Sequence, residues 1–242
     1  MGLELAARRR IVVLTGAGIS VASGLPTYRG VGGLWTTSPE LASQAAAAPA
    51  RDDPTTTWRN FASLRRAVQA AEPNAAHLAL AELERSLPTD ATLTIITQNV
   101  DGLHARAGSR RVLELHGSLL RSRCSDVACS LEPFEDLRDA SEAPPCPRCG
   151  APLRPDLVLF DEPLPARAEW ESKRALRECD LFVAVGTSGT VSPAANFVRA
   201  AAYVGAYTLL INREPAPDDA GFDEQRIGLA EALLPALLRA HA

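Results

Sequence analysis

Four of the five cysteines stand as two close pairs, Cys124 with Cys129 and Cys146 with Cys149. Spacing of C-x4-C and C-x2-C suits a tetrahedral thiolate zinc site, and four sulfur ligands leave no open position, so such a zinc would be structural. Disulfides or unrelated thiols are the alternative. Cys179 stands apart and reads as a small buried hydrophobe. Gly16-Ala17-Gly18-Ile19-Ser20 follows an apolar run and should open a helix. Glycines there let backbone approach a pyrophosphate, and the Ser20 hydroxyl could add a hydrogen bond; a plain tight turn is the alternative. The third glycine of the dinucleotide fingerprint is displaced to Gly24, and the acidic residue expected about 20 positions on is missing. Thr97-Gln98-Asn99-Val100-Asp101-Gly102-Leu103-His104 concentrates amides, a carboxylate and a histidine. That composition makes turns, and it also suits recognition of a carboxamide and a ribose. His116, in Leu115-His116-Gly117, has the side chain of a general base, although a lone histidine is more often structural. His77 reads as packed or capping, His104 stays open between roles, and His241 reads as solvated.

Positioning such groups needs a scaffold. Short aliphatic runs at 11–15, 93–97, 112–115, 157–160, 181–185 and 208–211 read as buried strands. Most are continuous rather than alternating, the pattern of a parallel sheet covered on both faces. Helical stretches such as 74–87 and 168–178 lie between them, which gives an α/β, doubly wound fold class. Polar and glycine residues gather where the runs end, and in open α/β sheets that edge binds ligands. Residues 36–90, helical with proline breaks, and 121–155, rich in proline and cysteine, interrupt the alternation and could form a smaller second domain.

A chain of 242 residues that is 46% hydrophobic buries a large core and is not disordered. A net charge of -4 argues against a dedicated nucleic-acid binder. Lys173 is the only lysine among 25 basic residues, which we read as genome composition. No run is apolar for about 18 residues, so no membrane span is expected. Arg8-Arg9-Arg10 precede an apolar run that stops after residue 14, too short for a secretory signal. A soluble, cytoplasmic protein is expected.

The glycine motif, Gly24, Thr27-Tyr28-Arg29, the run from Thr97 to His104, His116-Gly117, the cysteine tetrad and Gly186-Thr187-Ser188 together resemble the sirtuins, in order and spacing over nearly the whole chain. The resemblance implies a Rossmann-like doubly wound parallel sheet with a smaller zinc-binding and helical domain. It places the large domain at 1–36, 90–120 and 155–242, the helical module at 37–89 and the zinc module at 121–154. It implies NAD and zinc as cofactors and acyl-lysine proteins as substrates. Gly16, Ala17, Gly18 and Ser20 would hold the pyrophosphate. Tyr28 and Arg29 match an aromatic–arginine pair in the cofactor loop, where phenylalanine is commoner than tyrosine. Gln98 and Asn99 would contact the ribose, and Asp101, beside Val100, the nicotinamide carboxamide. Gly186, Thr187, Ser188, Asn212 and Arg213 would line the adenosine side, with Gly228 and Leu229 at the adenine. His116, Asn99 and Asp101 would be catalytic, His116 acting as base toward the ribose hydroxyls. The products would be lysine, nicotinamide and O-acyl-ADP-ribose. Transfer of ADP-ribose to protein, hydrolysis of NAD and a silent NAD-binding scaffold are the competing readings.

Residues 154–162 match the peptide-binding stretch, with Val158 and Phe160 as substrate contacts. Asp161 stands there where glycine is usual, and Asp156 where histidine or asparagine is frequent. Residues 30–35 resemble the branch that includes desuccinylases, which binds acidic acyl groups through a tyrosine and an arginine three residues later. Arg65 fits the arginine, with Arg66 as the alternative partner, but Ala62 occupies the tyrosine position. Neutral acyl groups are therefore expected to be preferred. Two arginines solvated on a helix face are the bland alternative.

Overall fold

The computed structural model describes residues 7–28, 32–39, 42, 45–46, 52–187, 194–217 and 220–239. Six strands form one sheet in the order β3-β2-β1-β7-β8-β9. They are β1 Arg10–Thr15, β2 Thr92–Thr97, β3 Val112–Glu114, β7 Leu181–Val185, β8 Tyr207–Asn212 and β9 Glu224–Ile227. Every pairing between them is parallel. Along β1, Ile11 and Val13 join the core on one face, and Val12 and Leu14 join the core on the other. Burial on both faces is why these strands appear as unbroken apolar runs.

One face is covered by α3 (Ala75–Ser86) and α7 (Ala230–Arg239), through Ala76, Leu80, Leu234 and Leu237. The other is covered by α5 (Ala166–Glu178) and α6 (Phe197–Tyr203), through Leu176, Phe197, Val198 and Ala201. Asn74 starts α3 with a reciprocal cap: its side chain accepts from Ala76 N–H, and its own N–H donates to His77 Nδ1. The outer face of α5 is wet and carries one-turn ion pairs, Lys173 Nζ to Glu169 at 2.6 Å and Arg167 to Glu171 at 2.8 Å. From β1 the strand order proceeds to β2 on one side and β7 on the other, so the order of the strands reverses there, and such a switch point opens a crevice beyond the carboxyl ends.

The two interruptions come together. Residues β4 (Gly117–Cys124), β5 (Phe134–Glu135) and β6 (Leu153–Leu157) form an antiparallel sheet in the order β5-β4-β6. Helix α2 (Pro54–Ala70) packs on it; Asp53 caps its start, accepting from Thr56 N–H at 2.9 Å, and Pro54 occupies the first turn. Trp58 is fully buried against Cys124, Cys146 and Leu153, and its Nε1–H donates to Ala140 O at 2.8 Å. Phe61, Leu64 and Val68 meet Leu119, Leu157 and Leu159.

Two expectations are corrected. The run at 157–160 is not a strand of the parallel sheet: its start closes β6 in the antiparallel sheet, and Phe160 makes a lone parallel bridge to Ala46. Its place is taken by β9, whose Glu-Gln-Arg-Ile sequence carries charge because it lies at the sheet edge. The helix opened by the glycine motif is a 3-10 helix, Ala17–Ser23. The antiparallel sheet also takes in 117–120 and 155–157, beyond the expected zinc module.

Candidate active site

Backbone builds the floor of the crevice. Gly16 N–H donates to Val185 O at 3.0 Å, Gly18 N–H to Gly186 O at 2.9 Å, and Gly186 N–H to Ile211 O at 2.9 Å. A Cβ on Gly16 would lie 2.7 Å from Gly186 O, and one on Gly186, where φ is 59°, would lie 2.4 Å from Ile19 N. Side chains are therefore excluded where the loops after β1 and β7 touch. Above this floor lies a cavity of about 820 Å³, large enough for a dinucleotide fragment plus a substrate side chain. Gly16, Ala17, Gly18, Gln98, Asn99, Val100, Gly186, Thr187, Asn212 and Arg213 all line it. Glu214, Trp35 and Phe61 join them; Trp35 closes the stretch 30–35 that the sequence singled out, whereas Glu214 and Phe61 were not among the expected site residues.

Ser20, Asn99 and Asp101 are all buried and mutually bonded. Ser20 Oγ donates to Asp101 Oδ2 at 2.7 Å, and Asn99 Nδ2 donates to Ser20 Oγ and to Gly16 O. Leu103 N–H donates to the other Asp101 oxygen, at 3.0 Å. Burial raises the Asp101 carboxyl above its ordinary value, with these hydrogen bonds opposing. The three residues line a small chamber of about 20 Å³ that opens off the main cavity past Tyr28. Tyr28 stacks on Trp35, with ring centroids 5.1 Å apart. Burial, reinforced by the Asp101 charge, pushes its phenol far up.

His116 lines the main cavity where β3 passes into β4. Its Nδ1 lies 2.9 Å from Gln98 O. A carbonyl only accepts, so the ring proton sits on Nδ1 and Nε2 keeps a free lone pair. Burial lowers the imidazole pKa, against the opposing bond to Gln98, so the ring is neutral at pH 7. Gln98 is held in turn by its Nε2, which donates to Thr187 Oγ1 at 2.9 Å.

Behind the site, His77 and His104 are almost fully buried with ring centroids 4.8 Å apart. His104 Nε2 is 2.9 Å from Thr15 Oγ1, which bonds Thr97 Oγ1, which accepts Asn99 N–H. Burial pushes His77 down to about 4 and His104 down to about 3. Both folded-state values lie below the unfolded value of about 6.5. Stability from the neutral pair is thus complete above that pH and lost as pH falls from there toward 4. By linkage the loss between pH 7 and pH 5 should reach up to about 4 kcal/mol. Urea unfolding across that range measures it, and NMR should show both rings neutral at pH 5. Rings that titrate near 6.5 in the folded protein would contradict the assignment.

Substrate-side expectations divide. Val158 and Phe160 line the cavity, with Val158 N–H donating to His116 O at 3.0 Å. Arg65 does not reach it. Its guanidinium is buried, donates to the carbonyl oxygens of Leu119 and Asp136, and lies over the Trp58 ring, 4.6 Å from the centroid. It ties α2 to the antiparallel sheet, and burial lowers its pKa. Arg66 is the solvated one, paired with Asp139 at 3.2 Å. Leu229 also stays off the cavity wall, half exposed at the start of α7, where its carbonyl accepts from Leu233 N–H. Arg29 and Ser188 lie outside the described residues.

The four Sγ atoms of Cys124, Cys129, Cys146 and Cys149 lie within 4.8 Å of one another. Two of the separations are 3.5 Å and 3.8 Å. A tetrahedron with Zn–S of about 2.3 Å requires sulfurs about 3.8 Å apart. The set fits a closed structural zinc.

Residues 16–193 match the Sir2 family. The chain belongs to it. The NAD-dependent protein deacylase of Thermus thermophilus is 47% identical over 211 residues, covering 86% of this chain and 81% of its own length. NAD-dependent protein deacylase 1 of Pseudomonas aeruginosa is 43% identical over 244 residues, covering 97% and 95%. Among solved structures, a Sir2 homologue–NAD complex superposes with a TM-score of 0.88 at 37% identity, covering 98% of this chain and 91% of its own. Sir2Af2 bound to a myristoylated histone peptide gives 0.74 at 36% identity, covering 98% and 92%. The Sir2 fold thus accounts for the parallel sheet, and the sheet edge carries the site.

Proposed function

We propose that this chain is an NAD-dependent protein-lysine deacylase that releases nicotinamide and O-acyl-ADP-ribose. The observation that carries the reading is His116, neutral and with Nε2 unspent, on the wall of a cavity that a Sir2-family sheet edge encloses. Bound NAD supplies an electrophilic ribose carbon with nicotinamide as its leaving group. The chain does the rest. Backbone of Gly16, Ala17 and Gly18 receives the pyrophosphate, and Thr187, Asn212 and Arg213 receive the adenosine half. Asn99 and Gln98 orient the nicotinamide-side ribose. Asp101, fixed by Ser20, accepts from the carboxamide. His116 takes the ribose hydroxyl proton at Nε2, activating that oxygen toward the acyl carbon. Val158 and Phe160 flank the acyl-lysine chain. A four-cysteine zinc set suits a reducing, cytoplasmic setting, and no helix among the described residues is long and apolar enough to cross a membrane. Mass spectrometry after incubation with NAD and acyl-lysine peptides tests the reading. O-acyl-ADP-ribose supports it; ADP-ribosylated protein or free ADP-ribose alone would replace it.

Acyl choice follows from the wall. Tyr28, Trp35, Ala45, Phe61, Leu157 and Leu159 surround the substrate end, and neither Arg65 nor Arg66 faces it. A hydrogen bond to a charged group contributes about 1.5–3 kcal/mol, and neither arginine offers one to an acyl carboxylate here. Acetyl and butyryl peptides should therefore exceed the matching succinyl peptide by roughly 10–150-fold in kcat/KM. Parallel assays of the three on one sequence decide it, and a succinyl preference would overturn the assignment.

A further inference from the structure

Asp161 is the one non-glycine residue with positive φ among the described residues, at 70°. Left-handed backbone is uncommon outside glycine, and aspartate and asparagine adopt it more readily than other residues. Asp161 lines the main cavity next to Phe160 and is exposed, so it stands at the mouth. Neighbouring carboxylates are committed. Glu162 accepts from Arg154 Nη2 at 2.8 and 3.0 Å and from Leu159 N–H. Asp156 accepts from Arg121 Nε at 2.9 Å. Asp161 makes no ion pair or hydrogen bond with any described residue through its carboxylate.

We infer that Asp161 is a specificity residue, whose free carboxylate at the cavity mouth favours substrate segments carrying arginine or lysine beside the acyl-lysine. The inference rests on the deacylase reading and names the substrate class of that same site. A mobile partner cation in solvent gains only about 1.4–5-fold in affinity per exposed pair. Between a peptide with arginine next to the acyl-lysine and one with glutamate there, attraction and repulsion multiply. The expected discrimination is about 2–30-fold in kcat/KM, carried by KM. It should shrink toward one in about 1 M salt, where the Debye length falls to about 3 Å.

The experiment assays three acetyl-lysine peptides, identical except for arginine, alanine or glutamate at the neighbouring position, with wild type, Asp161→Asn and Asp161→Gly. Asparagine keeps the shape and tolerates positive φ; glycine takes that φ freely as well. Arginine-over-glutamate preference in wild type that collapses in both variants supports the inference. Turnover of all three peptides without discrimination at low salt, or discrimination that survives both substitutions, overturns it alone. No turnover of any acyl peptide overturns the deacylase reading and this inference with it.

Discussion

His116→Ala should lower kcat/KM by about 10²–10⁴-fold, the usual worth of a positioned proton acceptor. The argument is one of tautomer. Gln98 O is 2.9 Å from Nδ1 and has no proton to give, so the reactive lone pair is on Nε2. Removing the ring removes the acceptor but not the floor that holds NAD, because that floor is backbone bonded to backbone. Isothermal titration with NAD should therefore give near wild-type affinity while turnover collapses. The pH profile of wild type adds a second check. Activity needs the neutral ring and is lost as pH falls through its folded-state pKa, which burial holds below the ordinary 6.5. An acid limb at or above 6.5, or near-normal turnover in His116→Ala, removes the residue from the proposed role.

Cys146→Ser should lose the metal and unfold the antiparallel module. Structural zinc contributes on the order of 10 kcal/mol in small zinc-binding peptides, comparable to the whole stability of a typical domain. Cys146 is the most buried of the four, and its backbone pairs both ways with the turn it opens: its N–H donates to Ala151 O and its carbonyl accepts from Gly150 N–H. Apart from the cysteines, only Trp58 and Leu153 are fully buried in this cluster; Leu131, Phe134 and three alanines pack on it while partly exposed, a small core to hold together without a metal. Elemental analysis of wild type should find about one zinc per chain, and the variant should find none and aggregate or bind a hydrophobic dye. A metal-free wild type with an intact fold would refute the site.

What the sequence made legible follows from periodicity and from chemistry that is local in the chain. Strands such as 181–185 are buried on both faces, so each shows as an unbroken aliphatic run. The cysteine pairs and the run from Thr97 to His104 keep their partners within a few residues, and spacing alone exposes them. The setting of Arg65 was not legible because its neighbours are distant: the carbonyls of Leu119 and Asp136 are more than fifty residues away and have no sequence signature. Edge strand β9 was missed because an edge needs no apolar run. The stretch at 157–160 looked like a buried strand because it is apolar, but it serves two layers at once. Leu229 followed a weak alignment, and nothing physical in the sequence tied it to the cavity.

The ion pair of Lys173 with Glu169 on the outside of α5 has a consequence for how the enzyme meets the reactive acyl donors that its substrates meet. Lys173 is the chain's sole lysine, and its ammonium is solvent-accessible on the outer face of α5, away from the sheet. Spontaneous acylation of this protein's side-chain amines therefore has one address. Every other surface cation is a guanidinium, which such donors leave alone. Peptide-level mass spectrometry at Lys173 therefore reads out the acylation state of the chain's one side-chain amine.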